Sequence, residues 1–271
     1  MLGRNPVDIG GNCHKIRALA CSTVDQTCYP TPRESGVHGD IAQLKRRAGE
    51  HAAGYVTSGM VVGLGHGSTA IFALRRIADL LQQGALRDVL GVPTSTQVEQ
   101  DACDLGIPLT TLNDHLVIDL TIDGADEVDD ELNLIKGGGG ALLREKIVAQ
   151  ASRREIIVVD PSKLSPRLGT RWPVPVEVTP FGWRTQVGFL ERLGGDATLR
   201  RRDDGSPFRT DQGNLILDCY FGAIADPEGL AIQLQERAGI VEHGMFIGVA
   251  SDLIVGTEDG IRLLRRQDGL P

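Results

Sequence analysis

Residues 119–149 read DLTIDGADEVDDELNLIKGGGGALLREKIVA. An apolar run over 116–122 stops at two carboxylates, Asp123 and Asp126. Its length and its β-branched residues suit a buried strand. Lys136 then precedes four consecutive glycines, Gly137 to Gly140. From 141 to 151 the spacing is helical, with Glu145 about one turn in. A strand, a polar loop and a helix in succession make part of a βαβ unit. Acid, base and bare backbone thus gather within a short span, the material for proton transfer on a polar, anionic substrate.

Working outward, the same alternation recurs. Toward the N-terminus, Ile41, Leu44, Ala48, Ala52 and Tyr55 stand at helical spacing behind Asp40, a candidate N-cap. The run 60–64 is short enough for a buried strand and ends in Gly65-His66-Gly67-Ser68-Thr69. Ala70, Ala73, Leu74, Ile77 and Leu81 share one face of a second helix. A strand over 88–92 follows, then a helix marked by Val98, Ala102 and Leu105. Toward the C-terminus, a strand over 155–159 runs into Asp160-Pro161-Ser162-Lys163. Such alternation predicts an α/β fold: a mostly parallel, Rossmann-like sheet with helices on both faces. Ligands of these sheets bind at the carboxyl ends of the strands. Loops 65–69, 123–126 and 160–163 are therefore expected to converge on one crevice.

The pattern changes near Ser165, where Pro166, Pro173, Pro175 and Pro180 mark a boundary. Beyond it the sequence predicts strand 174–178, helix 181–193, strands 197–201 and 214–220, helix 227–237 and an apolar stretch 240–247. That order is the ferredoxin-like β-α-β-β-α-β arrangement, read as a small α+β lid or oligomerisation domain over 169–247. Apolar segments 253–255 and 261–264 flank Gly256-Thr257-Glu258-Asp259-Gly260, a hairpin signal. They are expected to return to the edge of the main sheet, so that 40–168 with 248–271 form the catalytic domain. Residues 1–39 lack periodicity and are read as a disordered N-terminal extension.

The chain has 271 residues, 41% hydrophobic and 24% charged, the make-up of an ordinary globular protein. Its net charge of −8 argues against nucleic acid or an acidic membrane as partner. Cys13, Cys21 and Cys28 fit no zinc spacing, and His14 does not repair it. His38, His51, His66, His115 and His243 share no ligand spacing either, so no metal is expected. Cys103 and Cys219 fall in periodic segments and read as small buried apolar residues. This cysteine usage, with no membrane-length apolar run and no secretory signal, points to the cytoplasm.

Each candidate site has a plain alternative. In loop 65–69, Gly65 and Gly67 permit a sharp turn, and amides at the helix start with Ser68 and Thr69 can grip a phosphate. The alternative is a simple helix cap by Ser68. The loop is neither a Walker loop nor a dinucleotide fingerprint. Asp123 and Asp126, framed by Gly124 and Ala125, can accept hydrogen bonds from sugar hydroxyls. Glu127, Asp129, Asp130 and Glu131 read as solvated. Lys136 with Gly137, Gly138 and Gly139 can stabilise an oxyanion, or the glycines are only a flexible connection. Glu145 is a candidate base, or an exposed glutamate beside Arg144 and Lys146. Lys163 is a candidate phosphate cation, or a surface lysine.

Taken together, the segments GLGHGSTA (63–70), DGADEVD (123–129), KGGGGALLREK (136–146), DPSK (160–163), PVPVEV (173–178) and VEHGMFIGVASDLIVGTEDGI (241–261) resemble ribose-5-phosphate isomerases of the A type. The resemblance runs from about Ile41 to Leu264. It implies interconversion of D-ribose 5-phosphate and D-ribulose 5-phosphate with no cofactor, Glu145 being the proton acceptor. It further implies substrate contacts from Gly65 to Thr69, from Asp123 to Asp126, from Lys136 to Gly139 and from Lys163, and a homodimer or homotetramer. One departure stands out: the family usually has threonine where this chain has His66.

Two other functions share parts of this pattern. CoA-transferases also place a glutamate near a glycine-rich loop, but the phosphate-type loop with Lys163 favours a sugar phosphate. A sugar-phosphate sensor would need an attached DNA-binding element, and the N-terminal stretch shows no helix-turn-helix.

Overall fold

The structure, a computed structural model, describes residues 41–266. Asp40, the 1–39 segment and its three cysteines lie outside the described residues. In chain order the elements are α1 (Ile41–Ala53), β1 (Val61–Leu64), α2 (Ala70–Gln82), β2 (Leu90–Pro93), α3 (Thr96–Asp104), β3 (Leu120–Asp123), β4 (Glu127–Val128), β5 (Leu134–Ile135), α4 (Leu142–Gln150) and β6 (Glu155–Val159). There follow a 3₁₀ turn (Pro161–Lys163), β7 (Val174–Val178), α5 (Trp183–Arg192), β8 (Asp196–Leu199), β9 (Leu215–Tyr220), α6 (Pro227–Gln235), β10 (Ile240–His243), β11 (Met245–Phe246), β12 (Asp252–Thr257) and β13 (Gly260–Arg265).

The main sheet has the order β13-β12-β6-β3-β1-β2. All its neighbours run parallel except the β12–β13 hairpin. Its inner strands are buried along their whole length, as a sheet covered on both faces requires. On one face Val62, Leu64, Leu120, Ile122, Ile156 and Val158 meet α1, α2 and α3 through Ala48, Ala52, Leu74, Ile77 and Ala102. On the other, Ile157, Val159, Leu253 and Val255 pack with Ala149 of α4 and with Phe246. Each such Ile or Leu stabilises the fold by roughly 1.5–3 kcal/mol when fully buried. The expected Rossmann-like α/β sheet with helices on both faces is present.

The second sheet has the order β10-β7-β9-β8 and is antiparallel throughout. Its chain order β-α-β-β-α-β with this strand order is the ferredoxin-like arrangement. Leu190 of α5 and Leu234 of α6 join Val174, Val176, Leu215 and Leu217 in its core.

Several boundaries differ from the sequence reading. Strand β2 starts at Leu90, because Asp88 has φ 57, a left-handed conformation incompatible with a strand. Strand β3 starts only at Leu120; Leu116 and Val117 are exposed, and the Asp119 carboxylate instead accepts from the Val61 amide at 3.0 Å. Helix α5 starts after the left-handed Gly182 (φ 68), leaving Phe181 in solvent. The apolar stretch 240–247 splits at Gly244 into β10 and β11, which belong to different sheets. Cys103 is only half-buried, whereas Cys219 is buried.

The largest correction concerns Glu127, Asp129, Asp130 and Glu131, all read as solvated. Their segment supplies β4 and β5, which join β11 in a three-stranded sheet of order β11-β5-β4. Glu127 is fully buried and accepts from the amides of Gly169, Arg171 and Trp172 at 3.0, 3.2 and 3.3 Å. Asp129 is partly buried and organises the turn by accepting from the amides of Glu131 and Asn133. Only Asp130 and Glu131 are exposed.

Candidate active site

Strands β6, β3 and β1 are neighbours, so the loops at their carboxyl ends lie side by side. With the glycine loop and α4 they enclose a cavity. It is lined by His66, Gly67, Ser68 and Thr69, by Gly124 to Asp126, by Lys136 to Gly139, and by Glu145 and Lys163. Two expected residues lie elsewhere. Gly65 faces a second hollow between α2 and α3, lined also by Ile71, Leu74, Val98 and Asp101. Asp123 sits beneath the cavity floor, fully buried.

Asp123 acts as an internal anchor. Its Oδ1 accepts from the amides of Gly124 at 2.7 Å and His66 at 3.0 Å. Its Oδ2 lies 2.9 Å from Nζ of Lys136. A side chain on Gly65 would collide with Asp123, so the bare residue lets β1 and β3 end in contact.

Lys136 follows β5. Its amide donates to the carbonyl of Gly244 at 2.8 Å, and its Nζ donates to the Gly124 carbonyl at 2.6 Å and to Oε1 of Glu145 at 3.1 Å. Burial works against its charged form, but the carboxylates of Asp123 and Glu145 outweigh that and hold its pKa above the usual lysine value. Glu145 stands in the first turn of α4, only 4% exposed, and its Oε2 has no hydrogen-bond partner within the described residues. Burial, with the nearby Asp123 charge, pushes its pKa up to about 8, against the pull of Lys136. The exposed-glutamate alternative is thereby excluded. Its neighbour Lys146 is also buried, donating at 2.6 Å to Glu242 and to the carbonyl of His243.

The glycine loop is held rather than slack. The Gly138 amide donates to Oδ2 of Asp126 at 2.7 Å, and a Cβ at Gly138 would lie 2.7 Å from Oδ1 of that carboxylate. Arg200, at the end of β8, donates through Nη1 to the carbonyls of Gly137 and Gly138 at 2.8 and 3.0 Å, and pairs with Asp218. Arg200 was missed in the sequence, where it is one of three consecutive arginines.

At the other end of the cavity, the N-cap of α2 is Thr69, without a side-chain cap bond, so Ser68 is not a helix cap. Its hydroxyl instead accepts from Nζ of Lys45 at 2.9 Å. Lys45, on α1, also lies 4.0 Å from the buried Asp160 and is a second missed cation. The amides of Gly67, Ser68 and Thr69 have no acceptor within the described chain, whereas the His66 amide is taken by Asp123. Lys163 is half-buried, its ammonium 4.6 Å from the ring centre of Trp172. Among the described residues no cluster of His, Cys, Asp or Glu is arranged to hold a metal ion.

A buried carboxylate–lysine pair beside a loop of free backbone amides, at the carboxyl edge of a parallel sheet, is the arrangement of an α/β enzyme. Residues 90–260 match the family model described as ribose 5-phosphate isomerase A (phosphoriboisomerase A). A protein named ribose-5-phosphate isomerase A from Chloroflexus aurantiacus is 59% identical over 224 residues, covering 83% of this chain and 94% of that one. One from Desulfatibacillum aliphaticivorans is 54% identical over 222 residues, covering 82% and 96%. Among solved structures, ribose 5-phosphate isomerase from Plasmodium falciparum superposes with a TM-score of 0.81 at 41% identity, covering 84% of this chain and all of that one. A D-ribose-5-phosphate isomerase in complex with phospho-erythronic acid gives 0.82 at 38%, with the same coverage. The chain belongs to the ribose 5-phosphate isomerase A family.

Proposed function

We propose that this chain is an aldose–ketose isomerase interconverting D-ribose 5-phosphate and D-ribulose 5-phosphate through an enediolate, with Glu145 as base. The observation that carries this reading is the Glu145–Lys136–Asp123 cluster, a base and a cation held within 3.1 Å in a buried site. In the open-chain aldose, the Glu145 carboxylate takes the C2 proton. The C–H electron pair becomes the C1–C2 double bond and the C1 oxygen takes the negative charge. The Lys136 ammonium and the glycine loop stabilise that oxygen. A proton passes from the C2 oxygen to the C1 oxygen, Glu145 returns its proton to C1, and the carbonyl now stands at C2.

Burial serves this chemistry, because a carboxylate with a raised pKa is a stronger base. Asp126 orients hydroxyls and assists ring opening, and Asp123 fixes the lysine. Ser68, Thr69, the amides around them and Lys163 bind the phosphate, with Lys45 as a further cation. Binding the remote phosphate holds the reacting carbons at the base. We also propose that 169–247 is a lid or oligomerisation domain beside a catalytic 40–168 with 248–271. Its exposed Phe181, Tyr220 and Ile232 offer apolar surface for a second copy in a homodimer or homotetramer. Direct measurement of ribulose 5-phosphate formed from ribose 5-phosphate, with EDTA present, tests substrate, reaction and metal independence together; absence of product overturns the reading.

A further inference from the structure

We propose that the imidazole of His66 is itself a substrate-binding group, turned by Ser95 so that its Nε2–H points into the cleft between the phosphate-type loop and the glycine loop. This deepens the isomerase reading and rests on it. The main chain of His66 has nothing left to offer a ligand through its amide, which donates to Asp123 at 3.0 Å. What this position presents is the ring.

The ring is held in one orientation. Nδ1 lies 3.0 Å from Oγ of Ser95. Ser95 is the N-cap of α3, and its Oγ already accepts from the Val98 amide at 3.1 Å. The serine proton has no other acceptor among the described residues, so it goes to Nδ1 and the ring proton sits on Nε2. Burial lowers the His66 pKa, and the opposing Asp123 charge does not offset it, so the ring acts as a neutral donor.

The opposite wall is matched to it. A Cβ at Gly139 would lie 2.5 Å from Nε2 and 2.6 Å from Cδ2. Because Gly139 carries no side chain, no side-chain atom from that wall fills the space against the Nε2 edge. His66 lines the same cavity as Ser68, Thr69 and Lys163 on one side and Lys136 and Glu145 on the other. A sugar phosphate spanning those groups places a hydroxyl or phosphate oxygen, both acceptors, beside that edge.

His66→Gln keeps an N–H donor, and His66→Leu fills similar volume without one. KM and kcat for ribose 5-phosphate, and its Kd by calorimetry, separate the two. The Leu variant is expected to raise KM and Kd about tenfold, the size of one lost hydrogen bond, with kcat within about threefold. The Gln variant is expected to stay within about threefold of the native chain on all three. Gly139→Ala should raise KM in the native chain and do so less when combined with His66→Thr, which vacates the space. Equal behaviour of the Gln and Leu variants, or an equal cost of Gly139→Ala in both backgrounds, overturns the proposal. Failure of the native chain to turn over would sink the isomerase reading alone, since the Kd comparison still judges His66.

Discussion

Nζ of Lys136 stands 3.1 Å from Oε1 of Glu145, and both groups are almost wholly out of solvent. The pair sets up a division of labour. In the proposed mechanism the carboxylate moves a proton while the ammonium stays charged beside it. Glu145→Gln preserves the shape and removes the base. Its kcat should fall by about 10²–10⁴-fold, the usual worth of a positioned general base, while KM changes little. Steady-state kinetics check this, and near-normal turnover would remove Glu145 from its role.

Lys136→Met leaves two buried carboxylates, Asp123 and Glu145, without their cation. Breaking a buried pair from one side costs about 3–5 kcal/mol. Urea unfolding should show a loss of that order together with loss of turnover. An unchanged midpoint would mean that the pair contributes little to the fold.

Activity should depend on pH through Glu145. The base is the ionised form, and burial pushes the Glu145 pKa up to about 8. In the free enzyme kcat/KM should therefore climb with rising pH and level off above that value, whereas Lys136 stays charged throughout. Residual activity of Glu145→Gln should be flat over the same range. A native profile already flat from pH 6 upward would contradict this assignment.

Arg200 reaches from β8 to two carbonyls of the glycine loop. Arg200→Met removes both bonds, each of the charged kind worth roughly 1.5–3 kcal/mol. The loop should loosen, lowering kcat about tenfold or more while the far-UV circular dichroism is retained. Unchanged kinetics would show that the loop holds its shape without the arginine.

Glu155 is buried at the start of β6, and its Oε2 has no hydrogen-bond partner among the described residues. Burial, aided by the charge of Asp123, raises its pKa well above the ordinary carboxyl value. Its acid form is thus favoured on folding, a contribution fully present below the unfolded pKa and lost as pH rises toward the folded one. Glu155→Gln removes that dependence, with a slope of at most about 1.4 kcal/mol per pH unit. Melting temperatures of the two proteins, compared from pH 5 to pH 9, should shift in favour of the variant as pH increases. Parallel curves would show that Glu155 ionises without cost.

Much of this arrangement was legible in the sequence because it rests on periodicity. The buried strands of the main sheet, the amphipathic α2 and the β-α-β-β-α-β order each follow from spacing over several residues. Strands β4, β5 and β11 are two residues long, and two residues carry no period. The acidic run from Glu127 to Glu131 looks uniform on paper, yet Glu127 is buried and Glu131 exposed, because only Glu127 meets the amides of 169–172. Lys45 and Arg200 were invisible for a similar reason. Each approaches the site from an element remote in the chain, and nothing in its neighbours marks it. The His66 amide is satisfied by Asp123, a bond between residues 57 apart in the chain that no local pattern signals.

The three-stranded sheet joins Ile135 to Met245, and the amide of Lys136 hangs from the carbonyl of Gly244. Closing a span of that length is slow compared with forming a helix. Competence therefore arrives late in the life of each polypeptide. A translation product cut off ahead of Gly244 would carry the glutamate and the ammonium's partners but lack the carbonyl that holds the Lys136 main chain, so the proposed site depends on chain made long after its lysine.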